Sequence, residues 1–137
     1  MKKLSLIVKL WLPVIIWCWF IFYLSSIPNL RAAKNPFWDE IIRSIVHGLF
    51  YALLYTLFFR ALNFKKTHKD FLTPITLSCL YALSDEFHQF FVPTRTFQFK
   101  DILVDFIGIF TGALIIWRLL PKVPNRLKIL GKKLDLI

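Results

Sequence analysis

The sequence predicts an all-α membrane protein: a bundle of four transmembrane helices, both termini cytoplasmic, with a short amphipathic C-terminal tail. Four apolar windows carry this expectation, each close to the ~20 residues that cross a bilayer core at 1.5 Å per residue. Hydrophobic residues make up 57% of the chain, which is rich for a soluble domain. The formal charge of +10 lies mainly in the tails and one connector. It is not interleaved with aromatics along one face, which argues against a nucleic-acid binder.

The first window, about residues 4–24, follows Lys2 and Lys3. Its apolar run exceeds an ordinary signal-peptide core, and Trp11, Trp17 and Trp19 are foreign to one, so it reads as a retained helix. The second window covers 41–62, the third 71–92 and the fourth 100–120. Pro13 and Pro74 fall inside windows, where neighbouring membrane helices re-satisfy the backbone groups a proline frees. Cys18 and Cys79 sit in apolar segments outside any CxxC pattern and read as small space-filling hydrophobes. Residues 1–120 thus form one transmembrane domain, and 121–137 a basic cytoplasmic tail.

Positive charge sets the orientation. Lys2 and Lys3, then Lys65, Lys66 and Lys69, then Lys122, Arg126, Lys128, Lys132 and Lys133 fall on one side. Arg31, Lys34 and Arg95 are the loop cations of the other. Cytoplasmic loops carry the excess, so both termini are expected inside. In the tail, Leu127, Leu130, Leu134 and Ile137 recur between lysines, a pattern for a helix lying on anionic lipid.

Within this frame Asp85-Glu86-Phe87-His88-Gln89 is the most informative run. Ionisable groups in a spanning segment usually face a bundle interior or a water-filled cavity and mark function. The second window carries Arg43 and His47 on one face, four apart; the fourth carries Asp101 and Asp105 likewise. All lie within roughly 10 Å of the outer interface. Arg95, in the short loop before the fourth window, is placed to return over the cluster and pair with a carboxylate or hold a phosphate. Phe97 and Phe99 would anchor that loop at the lipid surface.

Asp85, Glu86 and His88, with His47, are the candidate catalytic residues, since burial beside charges can bring a general base near working pH. Arg43, His47, Gln89, Arg95, Asp101 and Asp105 are the candidate ligand-binding residues. No Ser or Cys nucleophile accompanies a base in a recognised motif, so a covalent mechanism has little support. Asp85, His88, Asp101, Asp105 and His47 are ligand types that suit a divalent metal, but their spacing matches no metal motif and does not favour one. A bland alternative makes the cluster a structural ion-pair network in which Asp85, Asp101 and Asp105 neutralise Arg43, Arg95 and Lys100. A non-enzymatic transport or interaction protein, oligomeric or working as a proton relay, is the competing class. Gly108-x-x-x-Gly112 reads as a close-packing face, Tyr51 and Tyr81 as packing aromatics, and His68 as a solvated residue.

Arg43-Ser44-Ile45-Val46-His47 followed by Tyr51, and the block Asp85-Glu86-Phe87-His88-Gln89 running on to Pro93-Thr94-Arg95, resemble the VanZ-like membrane proteins. Asp101, Asp105, Gly108 and Gly112 fall where that family's final acidic and glycine positions stand, and Ser25-Ser26-Ile27-Pro28 also fits. The resemblance covers about residues 20–115. Ser44 stands for the family's usual Lys, Gly48 for Phe, Phe50 for Glu and Thr94 for Gly. What the resemblance implies is a four-helix bacterial membrane protein linked to tolerance of glycopeptide antibiotics such as teicoplanin, a phenotype rather than a reaction. It implies membrane lipids and a lipid-linked cell-wall precursor or the glycopeptide as partners.

Overall fold

The computed structural model describes residues 2–28, 30–63, 69–95 and 98–119, the side chains of 2–4 and 119 excepted. The expected amphipathic tail, His68 and Phe97 lie outside the described residues. Within them the protein is all-helical, without strands: α1 (Lys2–Ser25), α2 (Pro36–Asn63), α3 (Leu72–Gln89) and α4 (Phe99–Leu114), the last running into one π-helical turn, Ile115–Leu119. Two stretches, Ser5–Ser25 and Pro36–Asn63, are long and apolar enough to cross a membrane.

Local chemistry explains the helix ends. α2 begins earlier than hydropathy indicates because Asn35 and Pro36 start it. The Asn35 side-chain oxygen accepts the Phe37 amide at 2.9 Å, and proline fits the first helical position. Asp70 does the same for α3, its carboxylate accepting the amides of Leu72 and Thr73. The buried Asn63 then fastens α2 to that start, donating to the Asp70 carbonyl at 2.7 Å and accepting the Asp70 amide at 2.5 Å. At its other end α3 stops at Gln89, short of the expected 92, where a series of turns runs on to Arg95.

α2 is the central helix, packing against α1, α3 and α4. Its closest approach is to α4. A Cβ built on Gly108 would lie 2.1 Å from the Gly48 carbonyl oxygen, and one on Gly112 would lie 2.9 Å from that of Ala52. Glycine at both positions lets the backbones touch. α1 is tied on by side chains: Trp17 donates its indole N–H to the Phe50 carbonyl at 3.0 Å, and the Tyr81 hydroxyl of α3 donates to that of Cys18 at 2.5 Å. Cys18 and Cys79 are free thiols.

Around an apolar core of α1, α2 and α4 side chains, the faces of α3 and α4 are inverted relative to a water-soluble domain. On α4, Leu103, Ile107, Phe110 and Leu114 are exposed, as is Trp117 in the π-helical turn, whereas Asp101, Asp105 and the two glycines are buried. On α3, Leu80, Leu83 and Phe87 face outward, while Ser78, Asp85, Glu86 and Gln89 face inward. Buried polar residues need partners, so the site follows from where those partners are.

Candidate functional site

The C-terminal ends of α1 and α3 and the N-terminal parts of α2 and α4 meet at one end of the bundle. There the structure gathers every residue the sequence nominates, and it adds α1. The Ser25 hydroxyl donates to Asp85 Oδ1 at 2.7 Å, and Gln89, one turn on, donates to Oδ2 at 3.2 Å. Asp85 is only 4% exposed, yet both of its oxygens are held by neutral donors. The buried Tyr51 hydroxyl lies beside this carboxylate without closing a normal hydrogen bond.

His47 on α2 meets Asp105 on α4, Nδ1 to Oδ1 at 3.1 Å, and Asp105 is 1% exposed. An ionised carboxylate only accepts, so Nδ1 carries the hydrogen. With Asp105 ionised and His47 neutral, the Nε2 lone pair is free among the described residues. His88 is placed differently. Its ring stacks on Phe22 with centroids 4.3 Å apart, and Nε2 lies 2.9 Å from the Ser26 hydroxyl oxygen. Ser26 already donates its single hydrogen to the Phe22 carbonyl at 2.7 Å, so His88 is the donor in that pair. Glu86, 1% exposed, accepts the Gln98 backbone N–H at 2.6 Å and so closes the loop between α3 and α4. Asp101 is buried in the first turn of α4.

The cations do not neutralise these carboxylates. Lys100 pairs with Glu40. Asp39 accepts the amides of Ala32 and Ala33, at 2.5 and 3.0 Å, and thereby folds the α1–α2 loop onto α2. Among the described residues Arg43 makes no ion pair or hydrogen bond. Arg95 is half-buried; one Nη reaches the Ile27 carbonyl at 3.4 Å, and Nε is buried without a partner. Burial lowers the Arg95 pKa from its ordinary value, and the nearby Arg43 charge lowers it further. The ion-pair network that the sequence allows is therefore not what holds this end together.

Arg43, Arg95 and Arg31 instead line a cavity of about 200 Å³ between α1, α2, α3 and the α1–α2 loop. His47, Asp85 and Ser25 complete its polar wall; Ile21, Leu24, Leu30, Val46 and Phe50 form the apolar one. Of the expected catalytic residues, Asp85 and His47 reach this cavity, while Glu86 and His88 stand outside its wall. Gln89 and Asp105 support it from behind, through Asp85 and His47. Sequence reasoning missed Ser25, Ser26 and Arg31 as site residues. The available signal was two adjacent hydroxyls at the end of an apolar helix, at the depth of the acidic cluster. No group of three or more His, Cys, Asp or Glu among the described residues is arranged to hold a metal ion.

Helices long enough to cross a bilayer, with apolar side chains outside and carboxylates within, define an integral membrane protein with a polar site at one end. The model of the VanZ/LLP1 family matches residues 10–120, most of the chain. The chain belongs to that family, which is related to glycopeptide resistance. No curated protein and no solved structure matches it.

Proposed function

We propose that the protein is a four-span inner-membrane bundle with cytoplasmic termini. Its cavity opens toward the outer leaflet and binds or modifies an anionic, lipid-linked or cell-envelope ligand, and through that ligand contributes to tolerance of glycopeptides such as teicoplanin. The observation that carries this reading is the set of guanidinium groups around the cavity, none of them in an ion pair with a carboxylate among the described residues. Arg43 without a partner and Arg95 with its Nε buried and unsatisfied are costly in a partly buried wall, and an anion relieves the cost. The outward-facing stripes on α3 and α4 support spanning by these two shorter helices, which their charged residues disguise in a hydropathy average. The positive-inside pattern directs the cavity outward. His47, oriented by Asp105, is the group poised to exchange a proton with a ligand.

The test is teicoplanin susceptibility of a Gram-positive host expressing the chain, compared with Arg43→Gln and Arg95→Gln at matched membrane abundance. Lys34→Gln, in the exposed loop, serves as the control. The expected result is tolerance from the unaltered chain and the control that disappears in both arginine variants. Tolerance that survives both substitutions would remove the cavity from the function.

A further inference from the structure

Resting on the reading of the cavity as an anion site, we infer that its ligand is a phosphorylated lipid. The phosphate sits among Arg31, Arg43 and Arg95, and the first part of the chain lies along Ile21, Leu24, Val46 and Phe50. The two walls require an amphiphile. A free inorganic anion would leave the apolar side wet, and a neutral lipid would leave the guanidinium groups without partners.

Headgroup chemistry narrows the class. Guanidinium forks match phosphate oxygens in bidentate pairs, and a phosphate presents enough acceptors for more than one fork. A lone carboxylate is filled by a single fork. Asp85 is the one carboxylate in the wall, and Ser25 and Gln89 hold both of its oxygens. Asp39 lies within reach of the fields of Arg31 and Arg43, but its contacts are with the Ala32 and Ala33 amides. The wall therefore stays net positive. His47 Nε2 accepts from a phosphate hydroxyl or, when the imidazole is protonated, donates to a phosphate oxygen.

Size excludes the larger candidates. A cavity of about 200 Å³ is of a size for a phosphate and the first methylenes of a chain. It falls below the roughly 300–1,000 Å³ of sites that enclose drug-sized molecules. Neither a glycopeptide nor the sugar-peptide portion of a cell-wall precursor fits inside. Whatever larger group the ligand carries stays outside, and the cavity reads the phosphate and the root of the chain.

The full chain, purified in a neutral detergent, is titrated separately with dihexanoyl phosphatidic acid, dihexanoylglycerol, inorganic phosphate and teicoplanin, with binding followed by calorimetry. Saturable binding of phosphatidic acid, about tenfold or more tighter than dihexanoylglycerol or inorganic phosphate, is expected. Losing one charge-assisted contact accounts for a factor of that order. R43Q should weaken phosphatidic acid by about the same factor and leave dihexanoylglycerol unchanged. The ranking of probes on the unaltered chain stands even if R43Q misfolds. Equal binding of dihexanoylglycerol would overturn the role of the arginines, and equal binding of inorganic phosphate would overturn the role of the chain. Absence of phosphatidic acid binding, or teicoplanin competing for the same site, would overturn the assignment outright. In those cases loss of tolerance in Arg43→Gln and Arg95→Gln would still uphold an anion site of another kind.

Discussion

Thr94 has a φ of 70°, in the left-handed region where a β-branched side chain crowds its own backbone at a cost of roughly 1–2 kcal/mol. The residue ends the turn that carries Arg95 back to the cavity, and the VanZ-like block has glycine there. Thr94→Gly should therefore stabilise the fold by about 0.5–1 kcal/mol, after allowing for the freer unfolded chain. A higher thermal midpoint in detergent, with anion binding retained, is the outcome to measure; a lower one would mean that the threonine side chain holds the turn. Other single-residue features were only partly readable in advance. His47 and Asp105 were nominated because each shares a helix face with another ionisable group, and spacing encodes that. Ser25 and Ser26 were not, because helical serines ordinarily return their hydrogen to their own backbone, as Ser26 does to the Phe22 carbonyl; the same carbonyl is in reach of Ser25, which turns instead to Asp85. Only the approach of α3 supplies the second partners. Which cation meets which carboxylate depends on helix rotation, and spacing along one helix does not report it.

Between helices, the contact that sets the geometry is α2 against α4. Gly108→Ala would drive a methyl into the Gly48 carbonyl, whereas Gly48→Ala meets nothing nearer than the Val104 carbonyl oxygen at 3.8 Å. The first should lose about 1–3 kcal/mol, as overpacked cores do. The second should stay within about 1 kcal/mol, given the better helix propensity of alanine. Thermal unfolding of the pair in detergent checks the asymmetry, and equal losses would contradict the backbone contact. The existence of all four helices was readable from apolar windows, and Gly108-x-x-x-Gly112 already pointed to close packing. Their limits were less so. A hydropathy window starts where charges end and so misses the turn containing Asp39 and Glu40, although Asn35-Pro36 marks the true start. A window likewise overruns Gln89, because Phe90, Phe91 and Val92 are apolar but belong to the turns that follow.

Apolar stripes face outward on α3 and α4 while their carboxylates face inward, and this is what supports placing them in the bilayer beside the two helices that qualify by length and composition. Four spans with both termini inside make a sharp prediction. In a chain carrying Cys18→Ala and Cys79→Ala, Lys34→Cys should react with an impermeant maleimide added to intact cells, and Lys66→Cys only after permeabilisation. The reverse pattern would invert the bundle and turn the cavity toward the cytoplasm. The central position of α2 was beyond the sequence, since windows order helices along the chain and say nothing of neighbours. That position has a consequence for biosynthesis. The partner of His47 lies 58 positions downstream, so at about 5–20 residues per second the ribosome needs roughly 3–12 s to supply it. Through that interval His47 lacks the carboxylate that orients it, and Gly48 lacks the α4 backbone that packs on it, so α2 gains both partners only once the chain has been made through Gly108.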